Sequence, residues 1–151
     1  MAWWDKMGMG KRVDAAARVL AAETFEFASV LGGDVLITQI IGRFTVITGG
    51  LSNMHLQFTP DILTAGVTQL CALVDIDGSD VGSTVTITGV PGDVLLPAGA
   101  APAGAVPGLT VPLILQPGGI ESVVSAASGA AAILWSLWYI PLSDAAYVVG
   151  I

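Results

Sequence analysis

The chain has 151 residues, of which 54% are hydrophobic and only 11% charged, with a mean hydropathy of +0.79 and a formal net charge of −7. That length suits one domain with a real core, but charges at less than half the usual share of roughly 25% are too few to dress a large free surface. Neighbouring protein or a membrane must cover part of it, and a body with seven acids and no base after Arg43 has nothing to neutralise nucleic-acid phosphates.

The five basic residues, Lys6, Lys11, Arg12, Arg18 and Arg43, share the first 43 positions with Asp5, Asp14, Glu23, Glu26 and Asp34. Residues 1–22 read as an N-terminal arm ahead of a domain at 23–151. Within the arm, Asp14 to Ala22 is dominated by alanine behind an acidic N-terminal residue, which predicts a short helix or a flexible, extended arm. Trp3 and Trp4 precede it and are costly to expose, so they are expected to dock, on a partner or on their own domain. No apolar stretch of the signal-peptide kind follows Met1.

From Glu23 the pattern turns to period two. Thr24–Ala28 alternates, Gly32-Gly33-Asp34 reads as a turn, and Val35–Thr48 is a long β-branched strand in which Gly42 predicts a bulge or bend. Asn53–Thr59 alternates cleanly, with Met54, Leu56 and Phe58 on one face and His55, Gln57 and Thr59 on the other. Val67–Ile76 reads as the next strand, Asp77–Asp80 as a turn, and Ser83–Thr88 as a short strand. Gly89–Asp93 is another turn.

Val94–Ile120 carries no charge and has prolines at a five-residue step, Pro97, Pro102, Pro107, Pro112 and Pro117. A Pro/Gly/Ala-rich loop at 97–110, extended from Gly99 to Gly108, fits that composition, followed by an edge strand over Val111–Leu115. Ser122–Ser143 is free of charge and long enough for a membrane helix. Its serines, its branched and aromatic centre, Pro141, and the lack of flanking positive charge favour a strand of about ten residues covered on both faces. Ala145–Val149 closes the chain as a short strand. Strands of this length between Gly/Asp/Pro turns, with no βαβ rhythm, predict an all-β fold, an antiparallel β-sandwich of jelly-roll-like type.

Chemical signatures are sparse. Asp75, Asp77 and Asp80 form the only carboxylate cluster, but glycine at its fourth position and Thr86 at the twelfth break the EF-hand pattern. A polar hairpin end is the simpler reading. His55 is the sole histidine and Cys71 the sole cysteine, which leaves no zinc set and no intramolecular disulfide. Cys71 lies in an apolar run and reads as a small buried side chain. With no nucleophile elbow and no phosphate loop, neither a catalytic residue nor a cofactor is expected.

Two stretches carry a resemblance. Trp135-x-Leu137-x-Tyr139-x-Pro141-Leu142-x-Asp144-x-Ala146-x-Val148 resembles the closing strand and tail of small virion proteins from tailed bacteriophages. Leu70-Cys71-Ala72-x-x-Asp75-Ile76, with Val81-Gly82-Ser83 and Ile87-Thr88-Gly89, resembles the central hairpin of the same group. The resemblance covers residues 70–89 and 135–148, rests on strand patterns, and transfers no functional residue. It implies a β-sandwich or jelly-roll subunit, in some members a capsid cement or decoration protein.

The sequence therefore leads to the expectation of a non-enzymatic virion subunit on the outer surface of the capsid. It would bind the major capsid protein and associate with itself, as a homotrimer, without nucleic acid, membrane, metal or cofactor. Trp3, Trp4, Lys11 and Arg12 are the expected capsid anchor, because aromatic residues beside basic ones typify interface anchors. Trp135, Trp138 and Tyr139 are the expected self-association surface. A tail, adaptor or fibre-base subunit is the alternative, and a small membrane protein a more distant one.

Overall fold

The computed structural model describes residues 9–46, 49, 52–62, 64, 66–96, 108–126 and 131–151. Trp3 and Trp4, and most of the proline-rich loop, lie outside the described residues. The strands in chain order are β1 (Lys11–Asp14), β2 (Arg18–Val19), β3 (Thr24–Leu31), β4 (Val35–Val46), β5 (Asn53–Pro60), β6 (Thr68–Gln69), β7 (Val74–Asp75), β8 (Thr84–Thr86), β9 (Leu113–Leu115), β10 (Gly118–Val124), β11 (Ala132–Pro141) and β12 (Tyr147–Gly150).

They form two antiparallel sheets. In the first, called sheet A here, β1 and β2 both pair with one edge of β11, β11 pairs with β4, and β8 and β9 share the far edge of β4. In sheet B the order is β12-β3-β10-β5, with β6 and β7 together on the far edge of β5. The pairings are nested: β1/β2 with β11, β3 with β10, β4 with β8/β9, and β5 with β6/β7. A chain whose first half pairs with its second half in reverse order, folded over into two sheets, is a jelly roll. The antiparallel sandwich expected from the strand pattern is thus the fold.

Alternation fills the space between the sheets. Ile37, Ile40 and Phe44 of β4 and Ile133, Trp135, Leu137 and Tyr139 of β11 face Phe27 and Val30 of β3, Met54, Leu56 and Phe58 of β5, and Ile120 of β10, all buried. The Phe27 and Trp135 rings stack across the sheets, with centroids 4.9 Å apart and planes 17° from parallel.

Two expectations change, at Val67–Ile76 and Gly42; the alanine segment takes its extended alternative, and the charge-free run contains the strand expected of it. Asp14–Ala22 is not helical. It is extended, and Asp14 and Arg18–Val19 belong to sheet A. Ala15 N donates to Trp135 O at 2.9 Å and Leu20 N to Ala131 O at 2.8 Å, while both side chains are buried. The edge of β11 supplies backbone partners that outweigh alanine's helix preference, which is a weak prior. Val67–Ile76 is broken into β6 and β7, because the chain turns inward between them to bury Leu70 and Cys71. The charge-free stretch Ser122–Ser143 spans the end of β10 and all of β11, the strand of ten residues expected there, and no helix among the described residues is long and apolar enough to cross a membrane. Gly42 is not at a bulge. The irregularities between β11 and β4 lie at Ala132/Ile133 and Trp138/Tyr139, and Gly42 sits in regular register opposite Trp135. A Cβ there would come within 2.7 Å of the Trp135 ring and 2.8 Å of Ile133 Cδ1. The glycine makes room for the indole.

Candidate interaction surface

The inner face of sheet A is apolar and covered by sheet B, whereas its outer face mixes apolar side chains with polar and charged ones. Register defines the outer face row by row. Ile140 stands opposite Leu36, and Leu36 opposite Ile114. Below them come Arg12, Trp138 and Gln39, then Asp14, Ser136, Ile41 and Thr86, then Leu134, Arg43 and Thr84. Val19, Ala132 and Val46 form the last row. Ile114 is 64% exposed, and Leu36, Ile41, Leu134, Trp138 and Ile140 are only partly buried. Completing the burial of each half-covered side chain is worth about 1 kcal/mol.

The few charges here are organised. The Arg12 guanidinium lies 5.3 Å from the centre of the Trp138 ring and pairs with Asp14 at 2.9 Å. Ser136 Oγ donates to Asp14 Oδ1 at 2.6 Å. Burial pushes the Asp14 carboxyl up, but the hydrogen bonds from Ser136 and Arg12 and the charge of Arg12 together outweigh it and hold the group below its ordinary value. Asp14 thus stays ionised and fixes Arg12 over the indole. A shallow depression of about 120 Å³ is lined by Arg12, Ile41, Arg43, Leu134, Ser136 and Trp138.

Met9, next to the undescribed residues 1–8, and Leu109, close to the undescribed residues 97–107, meet this face. Thr38 Oγ1 donates to Met9 O at 2.6 Å, and Leu109 N donates to Gln39 Oε1 at 2.7 Å. The buried Gln39 amide also donates from Nε2 to Thr86 Oγ1 at 3.4 Å.

The outer face of sheet B differs in kind. It presents Thr24, Glu26, Ser29, His55, Gln57, Thr59, Glu121 and Val123, with Glu26 directly opposite Glu121. Like charges in that position repel. Glu121 is steadied by hydrogen bonds from Gln57 Nε2 at 2.6 Å and Thr59 Oγ1 at 2.9 Å, and Glu26 by Ser29 Oγ. Glu26 leans over Gly119, where a Cβ would meet its carboxyl carbon at 2.8 Å. All four described basic residues lie on strands of sheet A, but only Arg12 and Arg43 are on its outer face, since Lys11 and Arg18 stand opposite inward-facing Tyr139 and Ile133 and Arg18 lies over Phe25 of sheet B.

The sequence-predicted residues separate accordingly. Trp135, 2% exposed, and Tyr139 face inward and are spent in the chain's own core. Only Trp138 of the expected self-association set is on the outer face, since alternation sends it the other way. It sits beneath Arg12 of the expected anchor set, so residues assigned to two surfaces form one. Lys11 is exposed at the end of β1, beside the Pro141–Asp144 turn. Ile41, Arg43 and Leu134 were missed. The signal for them was the period-two alternation of two strands that must be neighbours, and that adjacency is not written in either segment alone.

Asp75, Asp77 and Asp80 occupy a turn in which Asp75 Oδ1 accepts from Asp77 N at 2.9 Å. No group of three or more His, Cys, Asp or Glu side chains among the described residues could hold a metal ion. His55 lies on the outer face of sheet B, and its Nδ1 is buried with no hydrogen-bond partner among the described residues.

Cys71 is buried, and burial pushes its thiol up to about 11, despite a hydrogen bond from Leu56 N. The unfolded thiol ionises near 9.0, so between pH 9 and 11 the unfolded state loses a proton that the folded state keeps, and folding weakens as pH rises. Roughly 2–3 kcal/mol is at stake by pH 11. Denaturant unfolding at pH 8 and pH 10.5 is expected to show a loss in the native chain that is absent in Cys71→Ala. An equal loss in both would remove the thiol as the cause.

Comparison with protein-family models, with curated proteins and with solved structures finds no match for this chain.

Proposed function

We propose that this chain is a virion structural protein of a tailed bacteriophage, and specifically a cement or decoration protein that sits outside the head and bridges major capsid subunits. The observation that carries the reading is the group of part-exposed apolar side chains on the outer face of sheet A. A soluble sandwich has no use for Leu36, Ile41, Leu134, Trp138 and Ile140 on an outward face unless another protein covers it. The resemblance of residues 70–89 and 135–148 to small phage virion proteins points the same way.

The work of such a subunit is mechanical. Repeated burial of modest apolar areas around a shell sums to a large resistance to outward pressure, with Arg12 on Trp138 acting as an oriented, partly desolvated anchor. Trp3 and Trp4, which lie outside the described residues, are assigned to the anchor with Lys11 and Arg12 on their chemistry alone. Self-association, as a homotrimer, hides what the capsid leaves open.

The experiment is stoichiometry by quantitative mass spectrometry of purified virions, paired with attachment of purified protein to heads that lack it. A copy number in proportion to the major capsid protein is expected, and a few copies set by tail symmetry would refute the cement role. Deleting residues 1–8 is expected to abolish attachment while leaving the unfolding midpoint unchanged. Unchanged attachment would remove the arm from the anchor. The cut must stop before Lys11, because a deletion through residue 22 takes two edge strands with it.

A further inference from the structure

The depression on sheet A sets two arginines beside apolar side chains. Arg12 is committed to Asp14 and to the Trp138 ring. Arg43 is exposed and has no ion-pair partner among the described residues. Between the two arginines the floor is Ile41 and Leu134. A carboxylate next to a small branched side chain matches that arrangement in both charge and hydrophobicity.

The same chain carries such a group. After β7 the backbone makes a fixed turn: Ser79 Oγ donates to Ile76 O at 2.9 Å, and Ser83 N donates to Asp80 O at 3.0 Å. The turn presents exposed Asp80 beside Val81, which is 64% exposed, and no described basic residue belongs to it. Glu26 and Glu121 do not compete for the role, since both are partly buried and hydrogen-bonded within their own sheet face.

We propose that the Arg12–Arg43 depression receives the Asp80–Val81 turn of a second copy of this chain. This rests on reading the outer face of sheet A as a protein-contact surface. Asp80 meets Arg43 while Val81 covers Ile41 and Leu134, so the ion pair forms in a partly dry setting where it is stronger than on an open surface. Turn and depression are unlike patches, so a mutual two-fold exchange or a closed ring satisfies both.

Sedimentation velocity on the full chain over a concentration series tests the contact. The native chain is expected to self-associate, more weakly at high salt. Arg43→Glu and Asp80→Arg are each expected to weaken association roughly tenfold or more. Combining them in one chain is expected to restore it, because the exchanged charges again face each other. Val81→Glu, checked for an unchanged circular dichroism spectrum, is expected to weaken association without touching either charged residue. A monomeric native chain, single reversals without effect, or no rescue by the double reversal would each overturn the proposal. Capsid attachment that persists in those same variants would show that the contact between copies has failed while the cement role stands.

Discussion

Trp135→Ala is expected to destabilise the chain by about 3–5 kcal/mol, the range for truncating a large buried aromatic side chain. Against a typical domain stability of about 5–15 kcal/mol, that leaves a fold close to its threshold, with an unfolding midpoint shifted far down in denaturant. The reason is positional. Trp135 is almost fully buried and stacks on Phe27 of the opposite sheet, so its removal opens a cavity where the two sheets touch. Trp138→Ala, three residues on, is expected to cost only about 1 kcal/mol, the worth of a cation–π contact with Arg12 and a half-covered ring. Its larger consequence is on association and attachment. Urea titrations of the two variants side by side separate the roles. Equal destabilisation would mean that the outward face of β11 is as much core as the inward one.

That separation marks the limit of what the sequence makes legible. Clean alternation locates β5 nearly to the residue, and the charge-free apolar run does contain a strand of ten residues. What the run alone hides is how its aromatics divide. Trp135, Trp138 and Tyr139 look alike in composition, and only the pairing of β11 with β4 assigns two to the core and one to the outside. The alanine segment at 14–22 misleads for a related reason. Its helix preference is a local property, worth a few tenths of a kcal/mol per residue, whereas the backbone partners that make it extended, Trp135 O and Ala131 O, come from more than 100 residues away in the chain. The contact surface has the same dependence. Arg12, Arg43, Leu134 and Trp138 are dispersed in sequence, and the nested winding of the jelly roll brings them to one depression. Carboxylate clusters, in contrast, are local and visible, yet the most conspicuous one reads simply as a turn until the surface it complements is known.

Gly42 offers the sharpest test of how the core controls that surface. Gly42→Val is expected to destabilise by about 2–4 kcal/mol, at or beyond the usual cost of overpacking, because the new side chain begins within 2.7 Å of the Trp135 ring and 2.8 Å of Ile133. The indole is rigid and already held by Phe27, so β4 must move away from β11. Such a shift carries Ile41 and Arg43 with it, since they flank Gly42 on the same strand, and widens the depression they share with Leu134 and Trp138. The variant should therefore lose association beyond what its unfolded fraction explains. In a Trp135→Leu background the smaller side chain leaves space for the valine, so the second substitution should cost much less than it does alone. A coupling of at least 1 kcal/mol in the double-mutant cycle, with partial recovery of association, is the expected result. Additive losses would mean that the close approach of Gly42 and Trp135 does not set the spacing of the two central strands, and that the outer face is positioned by other contacts.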